Sequence, residues 1–174
     1  MLQTHNTLPE IIREQSIALL NKHLAAAIDL HGQVKQAHWN VRGPGFIAIH
    51  ELFDKVAEDV ESYSDQFAER AGALGGTAQG TVQTAAKQSF LIPYPHGIAD
   101  EKQHVFAITG NLAAFGQSLR DAVGLATKAG DPATADLFTE ILRAVDQQLW
   151  FVQSHLAPVI EHAVPAAKQA ARQR

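Results

Sequence analysis

Three clusters of helix breakers constrain this chain more than any other feature. Arg42-Gly43-Pro44-Gly45, Gly75-Gly76 and Gly130-Asp131-Pro132 cut it into long stretches in which Ala is the commonest residue and sustained Val/Ile/Thr alternation is scarce. That pattern favours helix over strand. Thr7-Leu8-Pro9-Glu10 reads as a capping box with Pro in the first turn, opening a helix expected to run to about Asn40. Its stripe is Leu20, Leu24, Ala27, His31, Val34 and His38, in steps of four and three along one face. A second helix is predicted over 46–73, ending at Gly75-Gly76.

The stretch 77–97 holds Gly80, Pro93 and Pro95, with room for one short helix near 82–88. It is too long for a tight hairpin and is expected to cross the bundle. A third helix fits 98–128. Asp131 caps a fourth, with Pro132 at its first position, reaching about Leu156; Pro158 and Pro165 then leave a polar tail. The expected fold is all-α: a four-helix bundle of ferritin-like layout over residues 1–160. A long crossover carries a short extra helix between the second and third helices, and a flexible basic tail occupies 161–174.

A chain of 174 residues that is 46% hydrophobic supports one domain with a real core. Zero Cys excludes disulfides, thiolate zinc sites and a Cys nucleophile. The net charge of -4 argues against nucleic-acid binding through the bulk surface. No apolar run approaches the ~18 residues of a membrane span. The segment Met1-Leu2-Gln3-Thr4-His5-Asn6-Thr7 lacks the layout of a secretory signal, so a soluble cytoplasmic protein is expected.

The chemistry concentrates on the second helix. His50, Asp54, Asp65 and Glu69 form one stripe, because positions 54 and 65 differ by only about 20° around the axis. A solvated charged face is the alternative, and the nearby Glu58 and Glu61 favour it. Distance sharpens the choice. Asp54 and Asp65 lie ~16 Å apart along the axis, whereas metal ligands sit ~2 Å from their ion. One helix cannot close a site with both pairs. Two such helices crossing about a two-fold axis can, with the His50/Asp54 end of one chain facing the Asp65/Glu69 end of the other. His38, on the inward stripe of the first helix, can join His50 and Asp54. Such a His, His and three-carboxylate set suits a redox-active or labile metal such as iron(II).

Lys35-Gln36-Ala37-His38-Trp39-Asn40-Val41-Arg42-Gly43, His50-Glu51-Leu52-Phe53-Asp54 and Asp65-Gln66-Phe67-Ala68-Glu69-Arg70 together resemble the Dps family of ferritin-like mini-ferritins. Leu74-Gly75-Gly76, Thr134-Ala135-Asp136-Leu137 and Leu149-Trp150-Phe151 extend the likeness from about Ile17 to Leu156. The resemblance implies a homo-dodecameric shell whose two-fold dimers carry ferroxidase centres holding two irons each, zinc or other divalent metals being able to substitute. His38, His50 and Asp54 would come from one subunit, Asp65 and Glu69 from its partner. Asp54 and Glu69 would hold the tighter iron; the two His and Asp65 would position a second iron or a water. The implied oxidant is hydrogen peroxide, and the ferric product is stored. Trp39 matches an aromatic beside the iron site, a sink for stray one-electron oxidation or simply a packing residue. Asp136 and Asp146 match acidic positions lining the family's iron-entry pore, capping and surface solvation explaining them almost as well. His31 is expected in the core or behind the ligands. Glu101 and His104 form the only Glu-x-x-His in the chain; iron sites inside one bundle need two, and this one is expected at the surface.

DNA binding in the family often depends on a Lys-rich arm. Residues 1–14 hold only Arg13 as Lys or Arg, while the C-terminus carries Lys168, Arg172 and Arg174 without an acid. Three phosphate contacts give a salt slope of only about -2.7, although many tails on one shell act together. The alternatives are a solvated tail, a DNA-compacting structural protein whose metal site only stabilises the dimer, and a monomeric helical binding module. DNA contact would make the protein nucleoid-associated.

Overall fold

The structure is a computed structural model describing residues 1–156, and it is all-helical among them. The elements are α1 (Glu10–Asn40), α2 (Phe46–Ala73), α3 (Val82–Gln88), α4 (Glu101–Ala129) and α5 (Pro132–Gln153), followed by a 3-10 turn at Ser154–Leu156. The short connections pair α1 with α2 and α4 with α5 as antiparallel hairpins, and the segment carrying α3 crosses between them. The predicted bundle, crossover and short helix are all present. The boundary at residue 160 and the tail lie outside the described residues. No described helix is long and apolar enough to cross a membrane.

Two helix starts differ from expectation. The Thr7 box does not form: Pro9 is the N-cap, no side chain caps α1, and Asn6 Oδ1 instead accepts from Leu8 N at 2.9 Å. The third long helix, α4, begins at Glu101 rather than Ile98, because Asp100 Oδ1 accepts from Lys102 N at 2.7 Å and makes the better cap. At its other end α4 stops on Gly130, whose φ of 90° is the left-handed geometry glycine adopts without strain.

Phe53, Phe67, Phe115 and Phe138 fill the core with Leu20, Leu30, Ile108 and Leu112. His31 departs from the expected stripe. The buried face of α1 is broad, since α2, α3 and α4 all pack on it, and it runs through Leu30 and Val34. His31 lies at its margin, half-buried in a groove beside α3. The crossover is stitched by polar groups. Asn21 accepts from Gln79 N at 2.9 Å and donates to Thr77 O at 3.1 Å, while Asn111 accepts from Ile92 N and donates to Ile92 O, both at 3.0 Å. These bonds tie the backbone of the crossover to α1 and α4.

His23 sits fully buried among Phe67, Phe90, Phe115 and Phe138, its Nδ1 bonding Leu19 O at 2.8 Å and its Nε2 lying 3.1 Å from Ser118 Oγ. Burial holds its pKa below the ordinary 6.5 against the opposing pull of these bonds. Asp131, also buried, takes a bidentate set: Thr134 N and Arg70 Nη2 donate to Oδ1, both at 3.0 Å, and Ser16 Oγ donates to Oδ2 at 2.8 Å. Burial pushes its pKa up, but the bonds from Thr134 and Ser16 and the Arg70 charge outweigh it and hold the carboxyl below its usual range.

Replacing Asp131 with Ala removes the cap of α5 and leaves the half-buried Arg70 guanidinium with only its Thr134 Oγ1 bond, and is expected to cost about 3–5 kcal/mol, read from the shift in a chemical denaturation curve. The native carboxyl has the depressed pKa. Its contribution is therefore present above the unfolded value of 3.8 and is lost as pH falls below it. For His23 the unfolded chain takes up a proton below 6.5 while the native ring resists, so stability should fall as pH drops from about 6.5. His23→Leu should flatten that slope; denaturation midpoints at pH 5, 6 and 7.5 would measure it.

Candidate metal centre

The tight connection between α1 and α2 sets the end of one helix against the start of the other. His38, in the last turn of α1, and His50, near the start of α2, stack with ring centroids 3.7 Å apart and planes 20° from parallel. Each ring bonds the other's backbone: His38 Nδ1 to His50 O at 2.8 Å, and His50 Nδ1 to His38 O at 2.9 Å. A carbonyl only accepts, so each Nδ1 carries the hydrogen. In the neutral rings each Nε2 is then a bare lone pair, the form a metal ligand requires.

Asp54, one turn beyond His50, places Oδ1 3.8 Å from His38 Nε2. The same oxygen receives Lys35 Nζ at 2.6 Å. The Lys35 hydrogen bond holds the Asp54 carboxyl below its usual range, aided by the nearby His38 and His50. The carboxylate is ionised and partnered by an ammonium on the face where a cation would bind. Lys35 Nζ also lies 5.8 Å from the ring centroid of Trp39, which is 66% exposed.

The structure thus brings together His38, His50 and Asp54. Asp65 and Glu69 lie exposed further along the same helix and do not join them within one chain. Among the described residues no group of three or more His, Asp or Glu closes on a common ion-sized point. Two imidazole nitrogens of the correct tautomer and one ionised carboxylate fit a divalent metal, yet they need further donors.

Asp136 is exposed at the start of α5; Asp146 is paired with Arg120, whose Nη2 lies 3.1 Å from Oδ2. Lys168, Arg172 and Arg174 lie outside the described residues. The Glu101/His104 pair is not the surface pair expected. His104 is buried, its Nδ1 bonded to the Tyr94 hydroxyl, and Glu101 Oε2 accepts from Gly45 N at 2.8 Å. The cause is tertiary: Arg42 N donates to Ala99 O and Glu101 N to Arg42 O, which pulls the α1–α2 connection onto the start of α4. Lys35 had no role from sequence. Its signal was its place three residues before His38, which puts both side chains on one helix face.

The family model of the ferritin-like domain matches residues 17–159. A curated protein of Agrobacterium fabrum named DNA protection during starvation protein is 40% identical over 88% of this chain and 95% of its own length. The solved high-iron form of Dps from Microbacterium arborescens is 34% identical, covers 89% of this chain and 100% of its own, and superposes with a TM-score of 0.82. DpsA14 from Streptomyces coelicolor is 38% identical, with a TM-score of 0.84 over 90% of this chain and 92% of its own.

If Lys35 competes with a metal for Asp54, removing its charge strengthens metal binding. Lys35→Met is expected to bind zinc, a redox-silent probe, several-fold more tightly than the unsubstituted protein in calorimetric titration. Unchanged affinity would mean that the ammonium leaves the carboxylate at no cost.

Proposed function

Because this chain belongs to the ferritin-like family, and within it to the Dps proteins, we propose that it oxidises iron(II) and stores the ferric product inside a shell of twelve copies. The observation that carries this reading is the cross-bonded pair His38 and His50, with each Nδ1 committed to a backbone carbonyl beside the ionised Asp54. A packing pair has no need of two parallel imidazoles that each commit Nδ1 to a backbone carbonyl and leave Nε2 for a ligand. A centre that receives iron as substrate does.

In this reading the missing donors are Asp65 and Glu69 of a second copy, because the helix itself holds Asp65 ~16 Å and Glu69 ~22 Å from Asp54. Each two-fold dimer then carries two equivalent centres, each accommodating two irons. Hydrogen peroxide is the proposed oxidant. One peroxide accepts two electrons, one from each iron(II), so both reagents are consumed without release of a one-electron oxidant. Trp39 stands beside the centre, and Asp136 and Asp146 contribute acidic charge to the entry path. The Arg120 pairing of Asp146 makes Asp136 the stronger contributor of the two.

The relatives named for DNA protection raise a second role for this chain, non-specific DNA binding in the cytoplasm. Its N-terminus offers little charge for that purpose. Leu2 N donates to Gly75 O, and Arg13 donates to Leu8 O and Leu74 O, so the one Lys or Arg of the first 14 residues is committed to the body of the protein. The proposed DNA contacts are Lys168, Arg172 and Arg174. Truncation after Val164 should abolish low-salt gel shifts while iron oxidation survives.

Mixed dimers test the shared centre. Asp54→Ala and Glu69→Ala each remove both centres of a pure dimer, whereas a mixed dimer concentrates both lesions in one centre and leaves the other complete. Co-assembled variants should therefore regain a measurable part of the peroxide-dependent iron oxidation rate. Verified mixed dimers that recover nothing would sink the shared-site reading. His38→Ala should weaken metal binding without changing particle size by light scattering.

A further inference from the structure

The Glu-x-x-His motif is absorbed into no metal centre, yet its histidine bonds the hydroxyl of Tyr94. His104 is buried, and its ring lies nearly parallel to that of Tyr94, 21° apart with centroids 6.1 Å from each other. The backbones of Asn40 and Ile98 lie near the ring, and its buried Nε2 has no hydrogen-bond partner among the described residues. Asn40 ends α1 and adjoins Trp39, so the pair rests against the helix end that carries the candidate metal centre.

We propose that Tyr94 and His104 form a proton-coupled one-electron donor, Tyr94 giving up an electron while its hydroxyl proton passes to His104 Nδ1. The O–H bond of Tyr94 breaks, an N–H bond forms on His104, and the acceptor is reduced by one electron. The acceptor is an oxidant of the hydroxyl-radical class, the by-product formed when iron(II) meets peroxide outside the two-electron reaction. A further iron(II) restores the pair: it gives one electron to the tyrosyl oxygen, the proton returns from Nδ1, and iron(III) is left. This use of the pair rests on the proposed iron chemistry, whereas its capacity to be oxidised does not.

The two environments supply what the step needs. Burial raises the Tyr94 pKa to about 12, so the phenol is protonated at neutral pH and losing an electron alone would leave a cation in a half-buried site. Burial also lowers the His104 pKa, so its ring is neutral and its Nδ1 can accept; the Asn40 and Ile98 carbonyls and the Asp100 charge then favour the imidazolium once formed. Tyr63 is the internal control, being the other of the two tyrosines in the chain. Its pKa is likewise raised to about 12 by burial, but its hydroxyl accepts a hydrogen bond from the Gln148 amide at 3.0 Å and has no imidazole to receive a proton.

Laser-flash oxidation of the full-length assembled protein by ruthenium tris-bipyridine with persulfate, read by transient absorption and freeze-quenched electron paramagnetic resonance, tests the pair without iron. A neutral tyrosyl signal is expected in the unsubstituted protein and in Tyr63→Phe, and its loss is expected in Tyr94→Phe. His104→Gln replaces the base with an amide and should slow formation by on the order of 10²-fold. A solvent deuterium isotope effect on the unsubstituted protein checks proton coupling with no substitution at all. A signal that survives Tyr94→Phe, or a rate unchanged in both His104→Gln and deuterium, overturns the proposal. In the second arm, iron(II) with peroxide should produce the same Tyr94 signal. Iron oxidation without that signal overturns the protective use. Failure of iron oxidation itself counts against the proposed function, and the flash arm alone then decides the pair.

Discussion

The buried Asp131 carboxylate is the interaction on which the rest of the bundle depends. It caps α5 through Thr134 N, receives the Arg70 guanidinium from α2 and accepts from Ser16 of α1. One side chain therefore fixes three helices at one end, and each of its bonds needs the others. An uncompensated carboxylate in that position would be costly to bury. The same residue follows Gly130, whose left-handed backbone ends α4. The α4–α5 turn is thereby locked to the first hairpin.

At the opposite end the lock is made mainly by backbone. Arg42 and Glu101 exchange hydrogen bonds with the segment they face, and Glu101 Oε2 reaches across to Gly45 N. This ties the α1–α2 connection to the start of α4 and brings the end of α1 against His104. The His38/His50 exchange of ring and carbonyl bonds depends on the register this produces. A shift of one residue between α1 and α2 would turn both Nδ1 atoms away from their acceptors and free the rings to rotate. The candidate centre is therefore as rigid as the hairpin that carries it, apart from Lys35, whose long side chain can swing from Asp54 without disturbing the backbone.

Helix punctuation was legible to within a residue or two wherever glycine or proline supplied it: Phe46, Ala73, Val82, Gln88 and Pro132 all stand where the breakers implied. It failed where caps competed. Thr7 offered a plausible box, but Arg13 draws the Leu8 carbonyl and the segment before Pro9 follows its own bonds. Asp100 outcompeted Ile98 as a start because a side-chain oxygen satisfies a helix N–H and a hydrocarbon side chain cannot. His31 followed the period of its stripe and still fell at the margin, since periodicity gives the direction of a face and says nothing of its width.

The sequence by itself determined the four long helices, the crossover, and the spacing that separates His50/Asp54 from Asp65/Glu69 by about three turns. These follow from local propensity and from the fixed rise of a helix, which are properties of neighbours along the chain. Only the tertiary structure decided which nitrogen of each histidine carries the hydrogen, that Lys35 holds Asp54, and that His104 is buried against Tyr94 while the half-buried Glu101 reaches Gly45 N. Those facts depend on groups from different helices meeting at hydrogen-bond distance. Such meetings are set by the register and packing of the whole bundle, which no window of the sequence contains.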